Sequence, residues 1–292
     1  MPETTIRETD LMLNDDGSVY HLNLLPRHIS DTIITVEDPS RVNQIAEFFD
    51  TIEYEINKRE FVTITGFYKK KRISVISTGI GPDNMEIFFN EIDALVNIDL
   101  KNRTIKSRRK KLNVIRIGSS SAIQNDIPLE KFIVSNFAIG LDNVIKYYFL
   151  KSSEFEQQIA NYLIDEIDLP DMPYVVEASS KLQPIFKDGF IQGNTLTTPG
   201  FYAAQGRQVR IPIKYPKLID QLMCFHKNDF WISNLEMETA TFYAFARIMG
   251  HHAINISAVT DNFVKSKTVK KPTRVFNTLI KKVLGIIQDS DL

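Results

Sequence analysis

Three groups of side chains in the sequence have types and spacings that could do chemistry. The first is a set of arginines at strand and turn boundaries. Arg41 follows Asp38-Pro39-Ser40, Arg59 precedes an apolar run, and Arg116 lies two residues before Gly118-Ser119-Ser120-Ser121. Guanidinium forks, turn N–H groups and the Ser119 hydroxyl together suit a dianionic oxyanion. Each arginine alone reads first as a surface ion pair. Arg116 is harder to dismiss, because it sits inside Val114-Ile115-Arg116-Ile117, where an unpaired charge is costly to bury.

The second group is Phe201 with Gln205-Gly206-Arg207. In extended backbone, residues i and i+2 share a face, which would present an amide and a guanidinium side by side. Such a pair can read a planar heterocycle carrying both carbonyl and N–H groups, and Phe201 could stack on its ring. An exposed polar loop beside a core aromatic accounts for the same residues. The third group is Glu236-Met237-Glu238. Two carboxylates at i and i+2 can each accept from one hydroxyl of a vicinal diol. Acids ahead of a helix are also favoured simply by its dipole, and spacing alone favours that plainer reading.

The elements that must position these groups alternate strand-like and helix-like, as in an α/β layer fold. Strands are expected at 32–36, 61–67, 72–77, 113–117, 132–138, 174–178, 190–196 and 253–259. Helices are expected at 41–49, 85–96, 154–167, 238–249 and 273–287. Lys69-Lys70-Lys71 reads as the turn of a hairpin, and Gly118 to Ser121 as a small-residue turn whose N–H groups can face a ligand. No internal repeat or Ser/Gly-rich linker interrupts the pattern, so a single domain spanning 1–292 is expected.

Composition limits the function classes. Of 292 residues, 43% are hydrophobic and 24% charged, and the formal charge is −1, which fits a globular chain and excludes a wholesale polyanion binder. One cysteine, Cys224, excludes a disulfide scaffold and suits a reducing compartment. No run of about 18 apolar residues is present, and Met1-Pro2-Glu3-Thr4 lacks the layout of a secretory signal, so a cytoplasmic protein with no membrane partner is expected. His251-His252 are adjacent and no ligand spacing for a metal occurs, so no metal site is expected. The segment 101–111 carries seven basic residues and no acid. It reads as a nucleic-acid patch or as a solvated loop. Missing aromatic interleaving favours the loop, and nucleic acid is not expected as a partner.

Taken in order, these motifs resemble those of the nucleoside phosphorylase family, and within it the uridine phosphorylase branch. Val19-Tyr20-His21-Leu22 is similar to the motif whose histidine reaches the ribose of a neighbouring subunit. Asp38-Pro39-Ser40-Arg41 resembles the phosphate loop, and Arg59-Glu60-Phe61 the segment that lends an arginine to the partner's phosphate. Ser77-Thr78-Gly79-Ile80-Gly81 and Arg116-Ile117-Gly118-Ser119-Ser120 resemble the two central signatures. Phe201-Tyr202 with Gln205-Gly206-Arg207 resembles the uracil-reading motif, and Glu236-Met237-Glu238 the ribose motif.

The resemblance implies a three-layer αβα sandwich around a mixed central sheet, with a basic insertion around 99–112. It implies a glycosyltransferase of the pentosyltransferase class that converts uridine and phosphate to uracil and ribose 1-phosphate. Arg41, Arg59, Arg116 and Ser119 would bind phosphate. His21, Met237 and Glu238 would bind ribose, and Ser120, Phe201, Gln205 and Arg207 the base, with Arg116, Arg207 and Glu238 catalytic. Inorganic phosphate is the co-substrate, no cofactor is needed, and the assembly is a homodimer at least and up to a hexamer.

Departures from the family pattern bear on the function. Glu37 replaces a usual glycine before Asp38-Pro39, Ser121 replaces a glycine near the base, and Asn262 falls where uridine enzymes have a further arginine. Asp261 falls where purine enzymes keep a general acid. The rival readings are a purine phosphorylase or nucleosidase on the same fold, and a non-catalytic nucleoside- or nucleic-acid-binding protein.

Overall fold

The computed structural model describes residues 5–292; the Met1–Thr4 stretch read above for a leader lies outside them. The chain first forms β1 (Thr32–Val36), whose five residues are all buried. α1 (Pro39–Ala46) begins two residues earlier than periodicity suggests, because the Asp38 side chain accepts from the Ser40 N–H and Pro39 occupies the first turn, a position that suits proline. β2 (Thr51–Lys58) was not expected. It is an edge strand with no fully buried residue, so it carries no continuous apolar signal. β3 (Phe61–Tyr68) and β4 (Lys71–Ser77) form the expected hairpin.

α2 (Pro82–Asn97) buries Met85, Phe88, Phe89, Ile92 and Leu95. The basic segment follows. β5 (Ile98–Asp99) and β6 (Thr104–Ile105) pair as a short hairpin, and Arg103 donates to the Ile6 and Arg7 carbonyls. Lys106 donates to the Val96 carbonyl and Lys110 pairs with Asp31, so several of its charges are engaged with the surrounding chain. β7 (Asn113–Ala122) runs longer than expected: Gly118 to Ser121 are strand rather than turn, because residues 257–261 of a later strand pair along their whole length.

β8 (Phe132–Gly140), α3 (Glu154–Glu166, opened by a Ser153/Glu156 capping box), β9 (Tyr174–Glu177) and β10 (Ile191–Thr197) follow. After α4 (Leu218–Cys224) come β11 (His226–Lys227), β12 (Phe230–Trp231) and β13 (Asn234–Glu236). The chain ends with α5 (Thr239–Met249), β14 (His252–Asn262), β15 (Lys267–Thr268) and α6 (Pro272–Asp289).

The result is a mixed 11-stranded central sheet with helices packed on it, as expected. β1 is parallel to β4 and β7, and β14 is parallel to β7 but antiparallel to β8. Because β14 pairs with both β7 and β8, strands β14, β8, β10, β13 and β7 close into a ring. One edge of β7 changes neighbour. β1 pairs with it only as far as Thr35 opposite Arg116, and β13 takes over at Leu235 opposite Ser121. Residues 117–120 have neither partner on that edge, and such a change of neighbour at strand ends is where an open α/β sheet forms a crevice.

Candidate active site

The crevice is a cavity of about 710 Å³ at the point where β7 changes neighbour. Three chain segments converge on it: the end of β1 with Glu37 to Arg41, the end of β7 with Arg116 to Ser121, and the end of β13 with Glu236 to Glu238. Phe201, Gln205, Thr260 and Asp261 also line it, as do Glu60, Gly79, Ile80 and Asn84. Thr260 and Asp261 are sequence neighbours, which a regular pleat would send to opposite faces. A register shift between Val259 and Asp261 lets both line the cavity.

At one end, Arg41 ion-pairs with Glu37, and Ser119 Oγ donates to the same Glu37 oxygen at 3.0 Å. The other Glu37 oxygen is buried without a hydrogen-bond partner among the described residues. Burial opposes the Glu37 charge, but Arg41 and Arg116 overcome it and hold the carboxyl below its ordinary range.

In the middle, Arg116 is fully buried. It ion-pairs with Glu238, approaches Glu236 at 3.6 Å and donates to Asn255 Oδ1 at 3.1 Å. Burial works against its charge, yet Glu238, Glu236 and Glu37 hold its pKa above the usual value. Glu238 also accepts from the Gly81 N–H at 2.8 Å, and Gly81 has a φ of 100° that favours glycine. Burial drives the Glu238 carboxyl up to about 8 against the pull of Arg116, with Glu236 and Glu37 pushing the same way.

Glu236 takes the plainer of the two parts open to the paired carboxylates. Its oxygens accept from the Glu238 and Thr239 N–H groups and from Thr197 Oγ1 at 2.6–3.0 Å, so it caps the start of α5. All three residues of the motif line the cavity, but Glu236 is committed to the helix start, which leaves Glu238 and the half-buried Met237 as the candidates to meet a ligand.

At the other end, Gln205 and Arg207 meet, but not by extended pairing. Ala203–Gln205 is a 3-10 turn, Gly206 has a φ of 70°, and the turn brings the Arg207 fork onto Gln205 Oε1. Gln205 Nε2 donates to Thr198 Oγ1 at 2.9 Å. Arg207 lies 3.9 Å over the Phe201 ring and donates to Ser121 Oγ at 2.9 Å and to Asp261 at 3.1 Å. Burial lowers the Arg207 pKa, partly offset by Asp261. Ser120 Oγ is buried in the wall with no partner among the described residues.

Two expected residues lie elsewhere. His21 is held by Glu91 through its ring Nδ1 and its backbone N–H, in a separate cavity. Arg59 is exposed at the β2–β3 turn. Both flank Tyr20: its ring lies 4.9 Å from that of His21 and 5.9 Å from the Arg59 guanidinium. Asn262 is turned from the base end and donates to the Gln124 and Ile127 carbonyls.

Sequence reasoning missed Asn255, Thr197 and Thr198. Asn255 had a signal, being a polar residue in the middle of the apolar run Ile254 to Ile256.

Residues 31–289 match the sequence model of the phosphorylase superfamily. A uridine phosphorylase of Thermococcus kodakarensis is 27% identical over 95% of this chain and 89% of its own length. A DeoD-type purine nucleoside phosphorylase of Buchnera aphidicola is 26% identical over 91% of this chain and 98% of its own. Among solved structures, a Trypanosoma brucei nucleoside phosphorylase described as showing uridine phosphorylase activity superposes with a TM-score of 0.88. It is 27% identical, over 96% of this chain and all of that one.

Proposed function

The chain belongs to the phosphorylase superfamily, and from that premise we propose that it cleaves nucleosides with phosphate, uridine foremost, to give free base and ribose 1-phosphate. The observation that carries this reading is the order of groups along one cavity. Arginines and a serine hydroxyl stand at one end, the buried Glu238 carboxyl with a methionine in the middle, and the Gln205 amide with the Phe201 ring at the other, backed by the Arg207 guanidinium just outside the lining.

In this reading Arg41, Arg116 and Ser119 hold phosphate so that one of its oxygens attacks C1′ of the ribose. Positioning of that kind supplies much of the rate available without a covalent intermediate. Glu238 holds the 2′-hydroxyl, and Met237 packs under the sugar. As the C1′–N bond breaks, its electron pair goes to uracil. Arg207 and Gln205 meet the charge growing on the ring oxygens, with Ser120 and Phe201 lining the base end. No resident cofactor is called for, and a cytoplasmic setting is in keeping with the single free cysteine, Cys224.

A purine-type reading is favoured by one observation, the presence of Asp261 in the cavity wall. Its carboxylate is tied to Ser121 and Arg207, so acting as a free acid toward a purine would mean giving up Arg207. The uridine reading keeps that pair intact. His21 and Arg59, flanking one tyrosine away from the cavity, belong in this proposal to the site of a second chain.

Purified protein incubated with uridine, inosine and adenosine, with and without phosphate, tests the reading by release of free base. We expect uracil and ribose 1-phosphate only when phosphate is present. Phosphate-independent release would replace phosphorolysis by hydrolysis, and no release from any nucleoside would leave a binding protein.

A further inference from the structure

We propose that Glu37 is an internal occupant of the phosphate subsite, an intramolecular competitor that phosphate must displace before it can react. The inference rests on the phosphorolytic reading above for the identity of that subsite. Everything else in it comes from Glu37 itself.

The Glu37 side chain turns inward from the end of β1 and is only 12% exposed. One oxygen takes the Arg41 guanidinium and the Ser119 hydroxyl together, and Arg116 adds its charge from behind. These are the same donors that would hold a phosphate oxyanion. A carboxylate and a phosphate dianion cannot share them. Hydrogen bonds to Arg41 and Ser119 made by one are lost to the other, and like charges a few ångström apart in a partly dry site repel strongly. The second Glu37 oxygen, buried and without a partner among the described residues, adds an uncompensated acceptor to the same spot.

Glu60 provides the contrast. It lines the same cavity, yet its side chain has no hydrogen bond to Arg41 or Ser119. If charge alone weakened phosphate, Glu60 and Glu37 would act alike. If occupancy is the cause, only Glu37 matters.

The test measures inorganic phosphate binding directly, by equilibrium dialysis with radiolabelled phosphate and no nucleoside. The wild type, E37Q, E37G and E60Q are compared, with KM for phosphate and for uridine measured in parallel. E37Q keeps the side-chain shape and E37G removes it, so misfolding of one variant leaves the other as the test. We expect E37Q and E37G to bind phosphate about tenfold or more tightly than the wild type, a difference of about 1.4 kcal/mol, with KM for phosphate falling in step and KM for uridine little changed. E60Q should stay close to wild type.

Unchanged or weaker phosphate binding in both Glu37 variants overturns the proposal, as does an equal gain in E60Q. The two readings separate cleanly. Tighter binding without any phosphate-dependent cleavage supports the occupancy of the subsite and removes phosphorolysis. Phosphate-dependent cleavage with binding indifferent to Glu37 does the reverse.

Discussion

Arg207 is the residue on which the base-reading proposal turns, because four different groups hold its fork: the Phe201 ring, Gln205, Ser121 and Asp261. A guanidinium restrained on that many sides is pre-oriented before a base arrives. In the proposed reading truncating it would remove a donor that meets the charge developing on the base, and such donors are worth roughly 100-fold or more in rate. R207A is therefore expected to lower kcat/KM for uridine by about that factor, and near-normal turnover would take it out of the site. Glu238 makes a second, independent claim. Its folded pKa of about 8 stands above the ordinary 4.5, so the folded chain keeps a proton that the unfolded chain releases above about 4.5. Stability from that proton is full at low pH and is lost as pH rises toward 8. Urea midpoints of the wild type should fall more steeply between pH 5 and pH 8 than those of E238Q. Parallel curves would mean that Glu238 does not hold the proton.

At the scale of elements, β7 does most of the positioning. It carries Arg116 beside Asn255 of β14 on one edge and opens its other edge to the cavity. Gly118 is part of this device. A Cβ built there would run into the Arg116 guanidinium, which folds back over the backbone of its own strand. G118A should displace that guanidinium, costing about 2 kcal/mol of stability and most of the activity. G285A is the control: it lies in α6 where an added Cβ meets nothing within 4 Å, so it should be neutral or slightly stabilising. Equal effects of the two substitutions, in urea unfolding and in uridine turnover, would refute the argument for Gly118. The basic segment belongs at this scale too. Its small hairpin and the bonds of Arg103 to the chain near Ile6 explain part of its charge as local structure.

For the whole molecule, the question is how His21 and Arg59 contribute, since neither lines the main cavity. If two chains pair so that each lends Arg59 to the other's phosphate end, each active site combines residues of both chains. R59A and R207A would then be weak separately. When the two are mixed and their subunits exchange, each mixed dimer regains one intact site. Random redistribution would restore about a quarter of wild-type activity. No recovery, in a mixture shown by sedimentation to have exchanged, would mean that Arg59 acts within its own chain or not at all.

Much of this was legible along the chain because it depends on local chemistry. β1 announces itself by β-branched residues, α1 by Asp38-Pro39, and the mixed α/β character by the alternation of the two periods. Arg116 stood out because an arginine inside an apolar strand is costly to bury unpaired, whereas the parts proposed for Gln205, Arg207 and Glu238 came from the resemblance, spacing alone leaving the plainer readings open. What spacing could not settle was where each side chain turns, since partners come from segments about 40 to more than 120 residues away. Only the fold commits Glu236 to capping α5, draws Gln205 and Arg207 together through a left-handed Gly206 rather than an extended strand, and lets a register shift in β14 face both Thr260 and Asp261 inward. The substitution of Glu37 for glycine was visible in the sequence. Whether its carboxylate pointed to solvent or to Arg41 and Ser119 was decided by packing, because Ser119 lies 82 residues further along the chain and reaches Glu37 only when β1 and β7 pair.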